Sequence, residues 1–189
     1  MQGSFQKGLP AIRCGFFFRS DVQASCPICE SHLHCVGSRH RICICEDSER
    51  IYILIRRLRC ENKDCRKLHH ELPDLLVPFK RHASGCIEKI LAFPGSPDTS
   101  DISAEESTFK AWKRWFHGLA GYWHGCLRAI SRRLGQPSEE IIVSSFQSPL
   151  QALYSLVGSH LGWLARIVRS VVNASFWVHT RSEWLPDPP

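Results

Sequence analysis

The stretch HRICICEDSERIYILIRRLRC, residues 40–60, decides how the first half of this 189-residue chain folds. Apolar side chains fall on nearly every second residue on both sides of Glu46-Asp47-Ser48-Glu49, a polar group suited to a tight turn. The alternation predicts a β-hairpin in which residues 39–45 pair with residues 50–59 across a turn at 46–49. Cys60 ends the second run, and the chain continues as ENKDCRKLHHELP. Two cysteines inside a run so rich in Arg, Lys and His have no obvious use by themselves. Their partners lie on the other side of the hairpin.

Cys26-Pro27-Ile28-Cys29 is a CxxC that precedes the hairpin, and Cys60 to Cys65 is a CxxxxC that follows it. A short cysteine loop at each end of a hairpin can gather four thiolates around one Zn²⁺, tetrahedrally, at about 2.3 Å each. The spacing therefore predicts one structural zinc held by Cys26, Cys29, Cys60 and Cys65. Four protein ligands leave no coordination position for water, which argues against zinc catalysis. The chain has ten cysteines, and its first residues, MQGSFQKGLPAIRCGFFFRSD, do not read as a secretory leader. A reducing, cytoplasmic setting is expected, where paired cysteines mean metal more often than disulfide. Cys43 and Cys45 share a strand face and lack a turn's chelating geometry. Cys14, Cys35, Cys86 and Cys126 are isolated and read as small buried apolar residues. His32, His34, His69 and His70 flank the knuckles as possible replacement ligands, although four cysteines already complete the shell.

Outward from the hairpin the pattern changes. Residues 73–101 read as a connector holding a short helix at 86–93 and the linker PGSPDTSD at 94–101. From residue 103 onward the periodicity is helical. Phe109, Trp112, Phe116, Leu119, Trp123, Leu127, Ile130 and Leu134 form one apolar stripe. It predicts a helix of about seven turns, or two helices broken near Gly118 and Gly121. Leu150, Leu153, Val157, Leu161, Leu164, Val168 and Val171 form a second stripe, read as a buried amphipathic helix. His160, Arg166 and Arg169 interrupt it, so no membrane span is expected. The fold class expected is α+β: a small N-terminal β zinc ribbon at 24–72, the connector at 73–101, a mainly α-helical region at 102–175 with a helix-turn-helix-like segment, and a C-terminal tail at 176–189.

The net charge is +6, and the first half carries most of the excess. Residues 107–138 hold six Lys and Arg and no acid. Lys110, Lys113 and Arg114 fall near the start of the predicted helix, behind a Ser107–Thr108 N-cap, where a recognition helix meets base edges. Arg56, Arg57, Arg66 and Lys67 surround the second cysteine loop and suit phosphates. Double-stranded DNA is the partner these positions imply, with a nucleoid-associated location. An RNA-binding or protein-interaction module is the alternative, and a plain solvated basic face would account for part of the charge. No GxSxG, P-loop, HExxH or spaced carboxylate set occurs, so no enzyme activity is expected.

CPIC, ERIYILIRRLRCENKDC and HHELPDLLVPFKRH together resemble an uncharacterised bacterial family, a domain of unknown function. That family is similar in turn to the zinc-ribbon heads of insertion-sequence transposases. The resemblance runs through residues 24–92 and continues more loosely in ESTFKAWKRWF and WVHTRS. It implies a DNA-associated, mobile-element-like protein with a zinc ribbon and a helix-turn-helix. Ribbons of this kind commonly carry Gly after the first knuckle, which permits a positive φ, and here the residue is Glu30. Beyond residue 107 the only acids are Glu139, Glu140, Glu183 and Asp187, too few and too clustered for a nuclease centre. The expectation is a binding head without the catalytic body.

Overall fold

The hairpin is present and longer than its alternation suggested. The structure, a computed structural model, describes residues 15–17, 25–92, 102–135, 148–177 and 183–184. Strand β2 spans Leu33–Ile44 and pairs antiparallel with β3, Arg50–Cys60, from Leu33 opposite Cys60 to Ile44 opposite Arg50. The turn closes with Cys45 N–H on Glu49 O at 2.9 Å and with Ser48 at φ +65°. β2 starts six residues before the predicted Arg39, because the strand runs on past a bulge between Cys35 and Gly37. Gly37 takes φ +145° there, a conformation open to glycine.

Three further strands complete a mixed sheet. β4, Leu68–Glu71, lies antiparallel to β3 on the side away from β2. β1, Gly15–Phe17, runs parallel to β3, and β5, Glu183–Trp184, parallel to β4. β3 is the axis of this arrangement, and its burial changes face along its length. Ile51, Ile53 and Ile55 are buried on one face, whereas Leu58 and Cys60 are buried on the other. A period-two strand can do this only if each face has its own cover. The first face meets the helices, and the second meets the cysteine loops.

Four helices follow: α1 (Ser84–Ala92), α2 (Glu106–Arg133), α3 (Pro149–Val157) and α4 (Trp163–Asn173). α2 is one continuous helix of 28 residues that passes through Gly118 and Gly121. Trp112, Phe116, Ala120, Trp123 and Leu127 are buried along it, and their packing outweighs the two glycines' cost of about 1 kcal/mol each. It begins at Glu106, one residue before the expected cap, with Glu105 at the N-cap and no side-chain cap bond. Of the two alternatives, the single long helix is the one present, and the 107–117 segment expected to meet base edges is its start. The second stripe is two helices, not one. Gly158 (φ +80°) and Gly162 (φ +86°) break it, and Arg166 Nε and Nη2 donate to Val157 O and His160 O, both at 2.8 Å. Leu161, assigned to the buried stripe, is 79% exposed at the tip of that break. The 94–101 linker lies outside the described residues, as does most of the C-terminal tail.

One cluster of buried side chains joins sheet and helices. It runs from Cys43, Ile53 and Ile55 through Leu72 and Leu76 to Ile87, Trp112, Trp163 and Ile167. Aromatic edges interlock at its centre, Phe116 against Trp163 at 5.8 Å and Trp123 stacked on Trp177 at 5.5 Å. Glu88 of α1 is buried and spends its Oε1 on the N-terminus of α4, accepting from Gly162 N–H at 2.8 Å and Trp163 N–H at 2.9 Å. Burial pushes its carboxyl above the usual range, and those two amides act in the opposite sense. No described helix is long and apolar enough to cross a membrane.

Candidate metal centre

Each cysteine loop is a turn that ends in a left-handed residue. In the first, Glu30 N–H reaches back to Cys26 O at 2.8 Å, and Glu30 sits at φ +61°. A glutamate therefore takes a left-handed conformation that glycine adopts without strain, at some backbone cost. In the second, Asn62 stands where the first has Cys26. Arg66 N–H donates to Asn62 O at 2.9 Å, Arg66 has φ +46°, and Asn62 Oδ1 accepts from Asp64 N–H at 2.9 Å. The turn itself thus spans 62–66, and Cys60 comes from the end of β3. That division explains why the second pair is spaced CxxxxC. Glu61 N–H on His32 O at 3.0 Å ties the two loops together.

The sulfurs of Cys26, Cys29, Cys60 and Cys65 all lie within 4.8 Å of one another. Cys26 Sγ is 3.8 Å from Cys65 Sγ, and Cys29 Sγ is 3.4 Å from Cys60 Sγ. A tetrahedron with Zn–S bonds of about 2.3 Å has edges of about 3.8 Å, so this donor set suits one ion of that size. The four cysteines are close enough to coordinate a single metal ion. Without a cation their thiols are unequal. Hydrogen bonding to Ser31, first its side chain and then its backbone, pulls Cys29 down to about 6. Burial pushes Cys60 up to about 12 and raises Cys26. A pocket that resists ionisation at two of its thiols needs a positive ion to gather all four thiolates.

Behind the sulfurs stands a residue whose part its sequence position did not disclose. His69 of β4 is fully buried, with Nε2 at 3.5 Å from Cys26 Sγ. It does not replace a cysteine in the cluster. In the tautomer with the proton on Nε2 it would donate to the Cys26 sulfur and offset thiolate charge. Its Nδ1 is buried without a hydrogen-bond partner among the described residues. His69→Ala should leave the four cysteines in place and weaken metal affinity about 10- to 100-fold, read by competition against a zinc chelator. Wild-type affinity in that variant would show that the imidazole only fills space.

The remaining cysteines stay outside the cluster. Cys86 and Cys126 are buried, as expected of isolated cysteines, and Cys14 lies outside the described residues; Cys43 is buried as well, and burial pushes its thiol up to about 12. Cys35, expected to be buried, is exposed at the bulge of β2. The basic residues proposed for DNA divide in a similar way. Arg66 and Lys67 are exposed on the second loop, and Arg114 on α2. Lys110 is exposed and pairs with Glu106 one turn back at 2.8 Å. Lys113 and Arg57 are half-buried. Arg56 is committed elsewhere: its guanidinium grips the buried Glu71 carboxylate with two donors, Nη2 to Oε1 at 2.6 Å. Around Arg57 the field is strongly positive. His70 is held down to about 4, by burial first and then by Arg39, Arg57 and Arg41.

Residues 26–112 match a family described as a domain of unknown function (DUF6431). The matched span starts on the first cysteine of the cluster and ends on Trp112 in α2, so it includes all four sulfurs and the helix α1. No curated protein and no solved structure matches the chain.

Proposed function

We propose that this protein is a zinc-dependent DNA-binding protein, related to mobile-element transposases through its zinc-ribbon head and lacking a nuclease of its own. The observation that carries the reading is the four-sulfur cluster at the ends of a hairpin whose second loop exposes Lys63, Arg66 and Lys67. The ion orders a loop that has little core of its own, and the ordered loop presents cations at fixed spacing to phosphates. On α2, Lys110 and Arg114 lie on the exposed face opposite Trp112 and Phe116, which suits base edges. A location with the nucleoid follows from such a partner. The exposed Ile28 at the tip of the first loop favours a second reading, an RNA-binding or protein-docking module.

The zinc-loaded protein should select a preferred sequence from a random duplex library, with affinity that falls steeply with salt. Arg66→Ala should weaken binding to all duplexes alike and shrink the salt slope by about one unit. Arg114→Ala should cost about 1–3 kcal/mol on the selected site and little on random DNA. If neither variant changes duplex affinity at low salt, the DNA reading fails and the docking reading takes its place.

A further inference from the structure

Phe79 stands where physical chemistry would put a glycine. Val77-Pro78-Phe79-Lys80 is a turn closed by Lys80 N–H on Val77 O at 3.1 Å, with proline second and a positive φ of +61° at the third residue. Turns of this type favour Gly or Asn at that place, because a side chain there is strained. The strained residue is also 66% exposed, so its ring regains little by packing. Arg41 holds the turn in this shape, its Nη2 donating to Val77 O and to Lys80 O at 2.9 Å each. Strain kept at an exposed aromatic, and clamped from below, is characteristic of a working surface.

The ring forms one wall of a groove of about 470 Å³ between residues 39–42 of β2 and residues 79–81. Ile42, 42% exposed, adds an apolar patch, while His40 and Arg81 are exposed at its rim. No acidic residue lines the groove. An exposed ring with cations around it complements a flat, anionic group, and a nucleotide has both parts. We propose that this groove takes one unpaired nucleotide of a DNA strand, its base stacked on Phe79 and its phosphate toward Arg81. The proposal rests on the DNA reading above and gives it a single-strand component that the metal loop and α2 do not supply.

The test compares a labelled oligothymidine with a labelled duplex of the same length, using the full zinc-loaded chain. Phe79→Gly should hold or raise Tm, because it relieves the turn, while single-strand affinity falls about tenfold or more and duplex affinity changes less than about twofold. Phe79→Trp should restore single-strand binding. Arg81→Ala, which leaves the turn alone, should also weaken single-strand binding and reduce its salt slope by about one. Unchanged single-strand affinity in Phe79→Gly overturns the proposal and assigns the groove to a protein partner. An equal loss on both probes overturns the unpaired base as occupant. A wild type that binds only duplex overturns this inference alone, and one that binds neither probe overturns the DNA reading with it.

Discussion

A chain carrying Cys60→Ser and Cys65→Ser should purify with almost no zinc, against about one ion per chain in the wild type. The two substitutions remove one sulfur from each close pair, Cys29–Cys60 and Cys26–Cys65, and leave only Cys26 and Cys29, half of the four-sulfur set. Zinc contributes about 10–16 kcal/mol to small zinc-ordered units, as much as the whole stability of an ordinary domain, about 5–15 kcal/mol. Little else holds the metal end of the sheet. Apart from the ligands, its own buried side chains are Leu58, His69 and Glu71, two of them polar. Amide protection along β3 should therefore collapse in the variant, and equally in wild type treated with a chelator. The helices should lose stability as well, since Ile53 and Ile55 belong to the same buried cluster as Trp112 and Trp163. A Cys43→Ala variant should keep its zinc, because that cysteine is buried on the helical face. Full zinc occupancy in the double variant, or unchanged protection of residues 50–60 after chelation, would sink the assignment.

The metal cluster was legible because turns encode themselves locally. CPICE and NKDCR each fix a five-residue turn by side-chain type and spacing, and the alternation between them dictates that the two turns meet. The first half of β2 was not legible for a plain reason. Residues 34–40 are exposed on every side chain, so burial leaves no period-two trace in LHCVGSRH. The break between α3 and α4 was hidden by the opposite accident. Leu161 continues the three-to-four spacing across Gly158 and Gly162, yet it points to solvent. His69 and Glu71 sit in a four-residue strand, LHHE, too short for periodicity to show that its second and fourth side chains are buried. Their partners are set by the register of β3, which places His69 opposite Leu58, and register is a tertiary property. The same register sets Arg56 beside Glu71, where its guanidinium is paired.

Glu71→Ala should destabilise the protein by about 3–5 kcal/mol while leaving the metal cluster alone. The Glu71 side chain is 2% accessible and that of Arg56 15%, so the pair is largely withdrawn from water. Two parallel N–H···O bonds give it the bidentate geometry in which Arg and a carboxylate attract most strongly. Much of that attraction only offsets the cost of desolvating both ions, so the pair as a unit adds little. Removing one partner is different, because the other keeps its desolvation cost and loses its compensation. Arg56→Ala should therefore cost nearly as much as Glu71→Ala, and Arg56→Met with Glu71→Leu should return within about 1 kcal/mol of wild type. Urea midpoints for wild type, Arg56→Met, Glu71→Leu and the double variant complete the cycle, and additive losses in the double variant would show that the pair is not a coupled unit. The cycle also decides how Arg56 bears on DNA. If Arg56 is structural, Arg56→Ala weakens DNA binding only in proportion to the unfolded fraction, and the Met–Leu protein binds as wild type does. A Met–Leu protein that is fully folded and has lost one unit of salt slope would return Arg56 to the phosphates.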